Sequence, residues 1–158
     1  MGRTSTHSTT VILGRMFDAP VAAVFAALVE PDLRERVGNA GGDVVVLPAL
    51  CDCRVGGREL LKFGPRTNPR FSVECIYHDI VPESRIVATE IFTVEGERHA
   101  VALTTWQLDP KGARTQLRVA AHLILLHPSA SSDVPRMRHE SMLDALETVL
   151  DIVAAGER

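Results

Sequence analysis

The sequence predicts an α+β domain in which one curved antiparallel sheet wraps a long C-terminal helix. Three observations carry that expectation. A short apolar helix opens the chain behind Phe17-Asp18-Ala19-Pro20, a long amphipathic helix from about Asp133 to Ala155 closes it, and the residues between alternate as antiparallel strands do. Such an arrangement leaves room for a small molecule between sheet and helix.

Each element follows from local chemistry. Residues 1–8 are polar and read as a disordered tail, leaving 9–158 as a single domain, and 158 residues of which 46% are hydrophobic suffice for one substantial core. Thr10 to Phe17 reads as the first strand. Pro20 sits where a first helical turn tolerates a missing N–H, and Val21, Val24, Phe25 and Leu28 form one apolar stripe behind it. Pro31 restarts a second short helix through Val37, which Gly38-Asn39-Ala40-Gly41-Gly42 ends.

Strands are then expected at Val44 to Pro48, Cys51 to Phe63, Phe71 to Val81, Arg85 to Val94, Arg98 to Leu108 and Thr115 to Leu126. The connections at Pro65 to Pro69, Pro82-Glu83, Glu95-Gly96 and Pro110-Lys111-Gly112 carry turn-forming residues, so the strands form a meander. Gly56-Gly57 interrupts a strand and is read as a bulge. On the last helix Arg136, Glu140, Asp144, Glu147 and Asp151 share one polar arc. Val134, Met137, Met142, Ala145, Val149, Ile152 and Val153 fill a broad apolar one, and Arg138 stands near its middle.

Composition excludes several classes. A net charge of -3 without a basic cluster argues against nucleic acid as a partner. No apolar run reaches the ~18 residues a membrane span needs, and the polar start lacks a secretion signal, so a cytoplasmic protein without membrane contact is expected. Cys51, Cys53 and Cys75 cannot all pair, and a bridge between Cys51 and Cys53 on an extended strand would be strained; reduced thiols are expected. These cysteines with His78 suggest zinc, but strand alternation sends Cys75 and His78 to opposite faces, so no metal is expected. Serine-elbow, HExxH and phosphate-loop motifs are absent, and the six histidines form no catalytic set and read mostly as surface residues.

Taken together, Phe17-Asp18-Ala19-Pro20 with Val24-Phe25, Glu30-Pro31, Asp52-Cys53-Arg54-Val55-Gly56-Gly57, Tyr77-His78-Asp79-Ile80-Val81-Pro82, Arg85-Ile86-Val87, and Gly112 with Thr115 stand in a specific order. In these the chain resembles the activator of heat-shock-protein-90 ATPase homologue-like family of the START-like, SRPBCC or polyketide cyclase superfamily. The resemblance spans Val11 to Val153 and implies the helix-grip fold of birch-pollen-allergen-like proteins, with a hydrophobic cavity and no single activity. Relatives often carry tryptophans where this chain has Arg36-Val37 and Met142, which implies a reshaped cavity.

In register with that family, the concave face receives Cys53, Glu59, Leu61, Phe63, Cys75, Tyr77, Ala88, Glu90, Phe92, Thr104, Trp106, Leu108, Leu117, Val119 and Ala121. Gln107, Gln116, Arg118 and His122 face water. Ligand contact is therefore expected from Glu59, Phe63, Cys75, Tyr77, Glu90, Phe92, Thr104, Trp106, Arg138 and Met142. An ion is not buried without a partner, and Arg138 is the expected partner of the two acids. A carboxylate of raised pKa at Glu59 or Glu90, with Tyr77 donating to a carbonyl, would suit catalysis; solvated acids at the rim with a structural Arg138 would not.

Three functions remain open. The first is a small-molecule binding protein for a lipid-like, aromatic or polyketide-like ligand, without a cofactor. The second is an enzyme of cyclase, dehydratase or hydrolase type, with Glu59, Glu90 and Tyr77 as candidate catalytic residues. The third is a co-chaperone-like interaction module. A homodimer is compatible with each.

Overall fold

The computed structural model describes residues 6–38 and 43–156. Its order is β1 (His7–Phe17), α1 (Val21–Val29), α2 (Pro31–Gly38), β2 (Val44–Cys51), β3 (Arg58–Pro65), β4 (Phe71–Val81), β5 (Arg85–Val94), β6 (Glu97–Lys111), β7 (Arg114–Leu125) and α3 (Asp133–Gly156). The seven strands form one antiparallel sheet ordered β1-β7-β6-β5-β4-β3-β2, so β2 to β7 run as a meander and β1 returns beside β7. Strongly curled, the sheet grips α3 in its concave face, the α+β helix-grip arrangement the sequence predicts.

Local chemistry places these elements. Pro20 precedes α1 in extended conformation and its carbonyl accepts the N–H groups of Ala23 and Val24, so the missing donor costs nothing there. Thr115 at the start of β7 donates to Ala19 O at 2.9 Å and pins this elbow to the sheet. Glu95 (φ 50°) and Gly96 (φ 86°) both take left-handed backbone, which gives the β5–β6 hairpin a turn twisted like its strands. Two packed clusters fill the interior. One joins α1 and α3 to Tyr77, Trp106 and Leu117; the other gathers Phe63, Phe71 and Phe92 with small residues of β6 and β7.

Several boundaries differ from the expectation. His7 and Ser8 belong to β1, paired with Leu125 and Ile124, while residues 1–5 and the glycine-rich 39–42 lie outside the described residues. Ile152 is exposed, because the apolar arc of α3 is covered only as far as the sheet reaches. The stretch from Cys51 to Phe63 is not one strand: β2 ends at Cys51, and 52–57 form a turn that hydrogen-bonds back to β4 through Gly56 N–H to Tyr77 O and Tyr77 N–H to Gly57 O. Gly56 adopts φ 82°, and a Cβ on Gly57 would lie 2.0 Å from the Asp52 carbonyl oxygen, so this glycine pair builds a turn, not a bulge within a strand. Gly57→Ala is expected to destabilise the fold by about 2 kcal/mol or more, because backbone must move. The urea midpoint measures it.

Candidate functional site

Strand register lines up one row of side chains across the sheet. Cys51 pairs with Glu59, Glu59 with Cys75, Cys75 with Glu90 and Glu90 with Ala102. Adjacent strands lie ~4.8 Å apart, so the backbones of the two acids stand roughly 9–10 Å from each other with Cys75 between. Both are fully buried. Burial of two acids demands two cations, and the helices supply them.

Glu59 accepts hydrogen bonds from Arg34 of α2 and from the Tyr77 hydroxyl. Glu90 accepts one from Thr104 at 2.6 Å, lies 3.1 Å from His139 Nε2, and has Arg138 Nε at 3.5 Å. Burial alone would raise both acids. Opposing it, Arg34 and Arg138 with the bonds from Tyr77 and Arg34 hold Glu59 below the ordinary carboxylate value. His139, Arg138 and Thr104 likewise bring Glu90 down to about 2. The raised carboxylate pKa anticipated from sequence is therefore reversed: each acid meets its own cation. Tyr77 moves the other way, its hydroxyl kept protonated by burial and by the Glu59 charge. Burial with the charges of Glu90 and Glu59 also raises the Cys75 thiol, so the residue between the acids stays neutral.

A small cavity of about 10 Å³, room for one water-sized atom, opens in front of this cluster. Its polar lining comes from Arg34, Tyr77, Trp106 and Arg138, and Met142 with Ile86 closes it. Both guanidinium groups rest on the Met142 thioether, with Arg34 Nη1 at 3.1 Å and Arg138 Nη1 at 3.6 Å from Sδ. Arg34 also lines a second hollow, a groove of about 360 Å³ between α2 and β2 whose apolar walls include Pro31, Leu47 and Leu50.

The family model for Activator of Hsp90 ATPase homolog 1-like proteins matches residues 18–154. The chain belongs to that family. Among solved structures, this member of the family is similar to Mll3558 from Rhizobium loti, at 24% identity and TM-score 0.74 over 92% of this chain and 99% of that one. It is also similar to CalU16 from Micromonospora echinospora, at 18% identity and TM-score 0.59 over 92% and 86%. DynU16, a protein in the dynemicin biosynthetic locus, aligns at 15% identity and TM-score 0.60 over 90% of this chain and 47% of DynU16. No curated protein matches. These identities establish the fold the family shares.

Of the residues singled out in this family member from sequence, Tyr77, Trp106, Arg138 and Met142 line the cavity. Glu59 and Glu90 stand behind it as partners of the lining arginines, and Thr104 donates to Glu90. Phe63 and Phe92 lie in the other packed cluster, their rings 6.5 Å apart, and Cys75 is sealed within the sheet. Two site residues escaped sequence reasoning. Arg34 shares the inner side of α2 with Val37, three residues on, and His139 shares the spine of α3 with Pro135, Leu143 and Leu146; all of these are buried. The helical periods held both signals.

Among the described residues two groups could gather around a cation: Cys51, Cys53 and Glu59, and at the far end of the sheet Glu97, His99 and His127. Neither is well disposed. Glu59 is already bound by Arg34 and Tyr77, and the rings of His99 and His127 stack within 8° of parallel, which aims their lone pairs side by side instead of at one ion. Cys75 is buried and His78 exposed, so the four-ligand zinc set does not assemble. Among the described residues no helix is long and apolar enough to cross a membrane.

Proposed function

We propose that this protein binds a hydrophobic or aromatic small molecule with one polar group, held between α2, α3 and the concave sheet. One observation carries the reading: four charged side chains, Arg34, Glu59, Glu90 and Arg138, are buried beside a cavity and an open apolar groove that share Arg34. A buried ionic cluster adds little to stability compared with apolar packing, so its presence at the mouth of a groove favours recognition. Ionised Glu59 and Glu90 have no proton to give as general acids, and their lowered pKa makes them weak general bases, which favours binding over the cyclase, dehydratase or hydrolase reading.

Native mass spectrometry of the protein purified from its own host tests the proposal. A copurified apolar or aromatic species, returned unchanged after incubation with the stripped protein, is the expected result. Conversion of that species to a product would instead make the protein an enzyme, and capture of another protein with no small molecule would favour the interaction module.

A further inference from the structure

Resting on that reading, we propose that the polar group of the ligand is a neutral hydrogen-bond-accepting oxygen, a ketone or quinone carbonyl, seated between Arg34, Arg138 and Trp106. Three observations lead there.

First, the polar side chains that line the cavity carry donors short of partners. Arg34 Nε and Trp106 Nε1 are buried with no hydrogen-bond partner among the described residues, Arg138 Nε has only Glu90 Oε2 at 3.5 Å, and all three side chains line the same 10 Å³ space. A buried donor left unpaired costs ~1–3 kcal/mol, so each gains from an incoming acceptor. The Tyr77 hydroxyl is engaged on both sides, donating to Glu59 and accepting from Cys53 Sγ at 3.3 Å, and no carboxylate lines the cavity.

Second, the acceptor between the two guanidiniums is a weak one. Met142 Sδ takes one N–H from each guanidinium, although a thioether is a poor partner for a charged donor. Methionine is also the apolar side chain that repacks most readily, so it can yield the place to an oxygen.

Third, charge decides between a carbonyl and an anion. Glu59 pairs with Arg34, and Glu90 is shared by Arg138 and His139, so the charge of both guanidiniums is already met inside the cluster. A carboxylate ligand would leave an uncompensated negative charge in a buried site, and an amine would face two guanidiniums across the gap. A neutral oxygen satisfies the donors with no change in charge. The apolar body of the molecule then lies along Pro31, Leu47 and Leu50 in the groove, with Arg34 at the junction of groove and cavity.

The single tryptophan makes the test direct, since the protein gives one indole N–H resonance. The probes are 1-indanone, indane, indane-1-carboxylate and 1-aminoindane, titrated into the full-length protein by calorimetry and ¹H–¹⁵N NMR. Indanone is expected to bind about 10-fold tighter than indane, as one or two added hydrogen bonds would give, and to move the indole proton to higher frequency. The acid and the amine should bind more weakly than indanone. Trp106→Phe keeps an aromatic side chain and removes the donor; it should cut the indanone affinity about 5-fold more than it changes the indane affinity, whereas Leu50→Ser should weaken both alike. Equal affinity for indane and indanone with an unmoved indole resonance overturns the carbonyl assignment while the groove reading survives. Tighter binding of the carboxylate than of indanone overturns it in favour of an anion. Binding by no probe, or binding insensitive to Leu50→Ser, overturns the site itself.

Discussion

Replacing Arg34 with methionine is expected to lower the folding stability by about 3–5 kcal/mol, the range seen when one partner of a buried ion pair is removed. Glu59 is 0% and Arg34 6% exposed, so the stranded carboxylate would have no water at hand and only Arg138, which does not hydrogen-bond it, as a cation. Tyr77 and, weakly, the Cys53 thiol would remain to donate to it. Protonation of Glu59 caps the loss, because a neutral acid escapes most of the desolvation penalty. For that reason the variant should recover stability as pH falls through the raised Glu59 pKa, opposite to the wild-type trend. Adding Glu59→Gln removes the charge but keeps an acceptor for Tyr77, and the pair should restore most of what the single change loses. Urea unfolding of wild type, both single variants and the double variant gives the coupling. Additive single effects would mean that Arg34 and Glu59 do not depend on each other.

The second large effect lies with Glu90. Its carboxyl ionises at about 2 when folded against an ordinary 4.5, so between those values the unfolded chain binds a proton that the folded chain refuses. Stability from this group is thus complete above pH 4.5 and disappears as pH drops toward 2, on the order of 3 kcal/mol across that window. Glu90→Gln should flatten this part of the pH profile. It should also cost stability at neutral pH, since Arg138 and His139 would lose their shared anion. Thermal unfolding between pH 2 and 7 for the two proteins provides the measurement. Parallel profiles would show that Glu90 is not the group whose protonation weakens the fold in acid.

Much of the scaffold was readable from the chain because period-two patterning is strong wherever one face of a sheet is buried. β4 and β5 start and end where alternation and turn residues say they should. All the expected inward side chains are buried except Cys53, which lies half-covered in the 52–57 turn. That turn was misread because Asp52-Cys53 continues the extended pattern of β2, while the close approach of Gly57 to the Asp52 carbonyl is a three-dimensional constraint. The site was half legible. Glu59, Glu90 and Arg138 announced themselves as charges at apolar positions, and they are buried. Their pairing was not announced: Arg34 reaches Glu59 from a different element, and no local spacing encodes that contact. The direction of the carboxylate shifts depended on that missing cation.

One strand carries an implication for assembly. β2 is an edge of the sheet, and its ladder with β3 slips between Pro48 and Leu50. Proline brings no N–H and the slip breaks the even spacing of free backbone groups, so another chain finds no continuous template there. Crowded or concentrated solutions should therefore leave this lip of the molecule unclasped, and Leu47 and Leu50 keep their access to passing solutes even where copies of the protein gather.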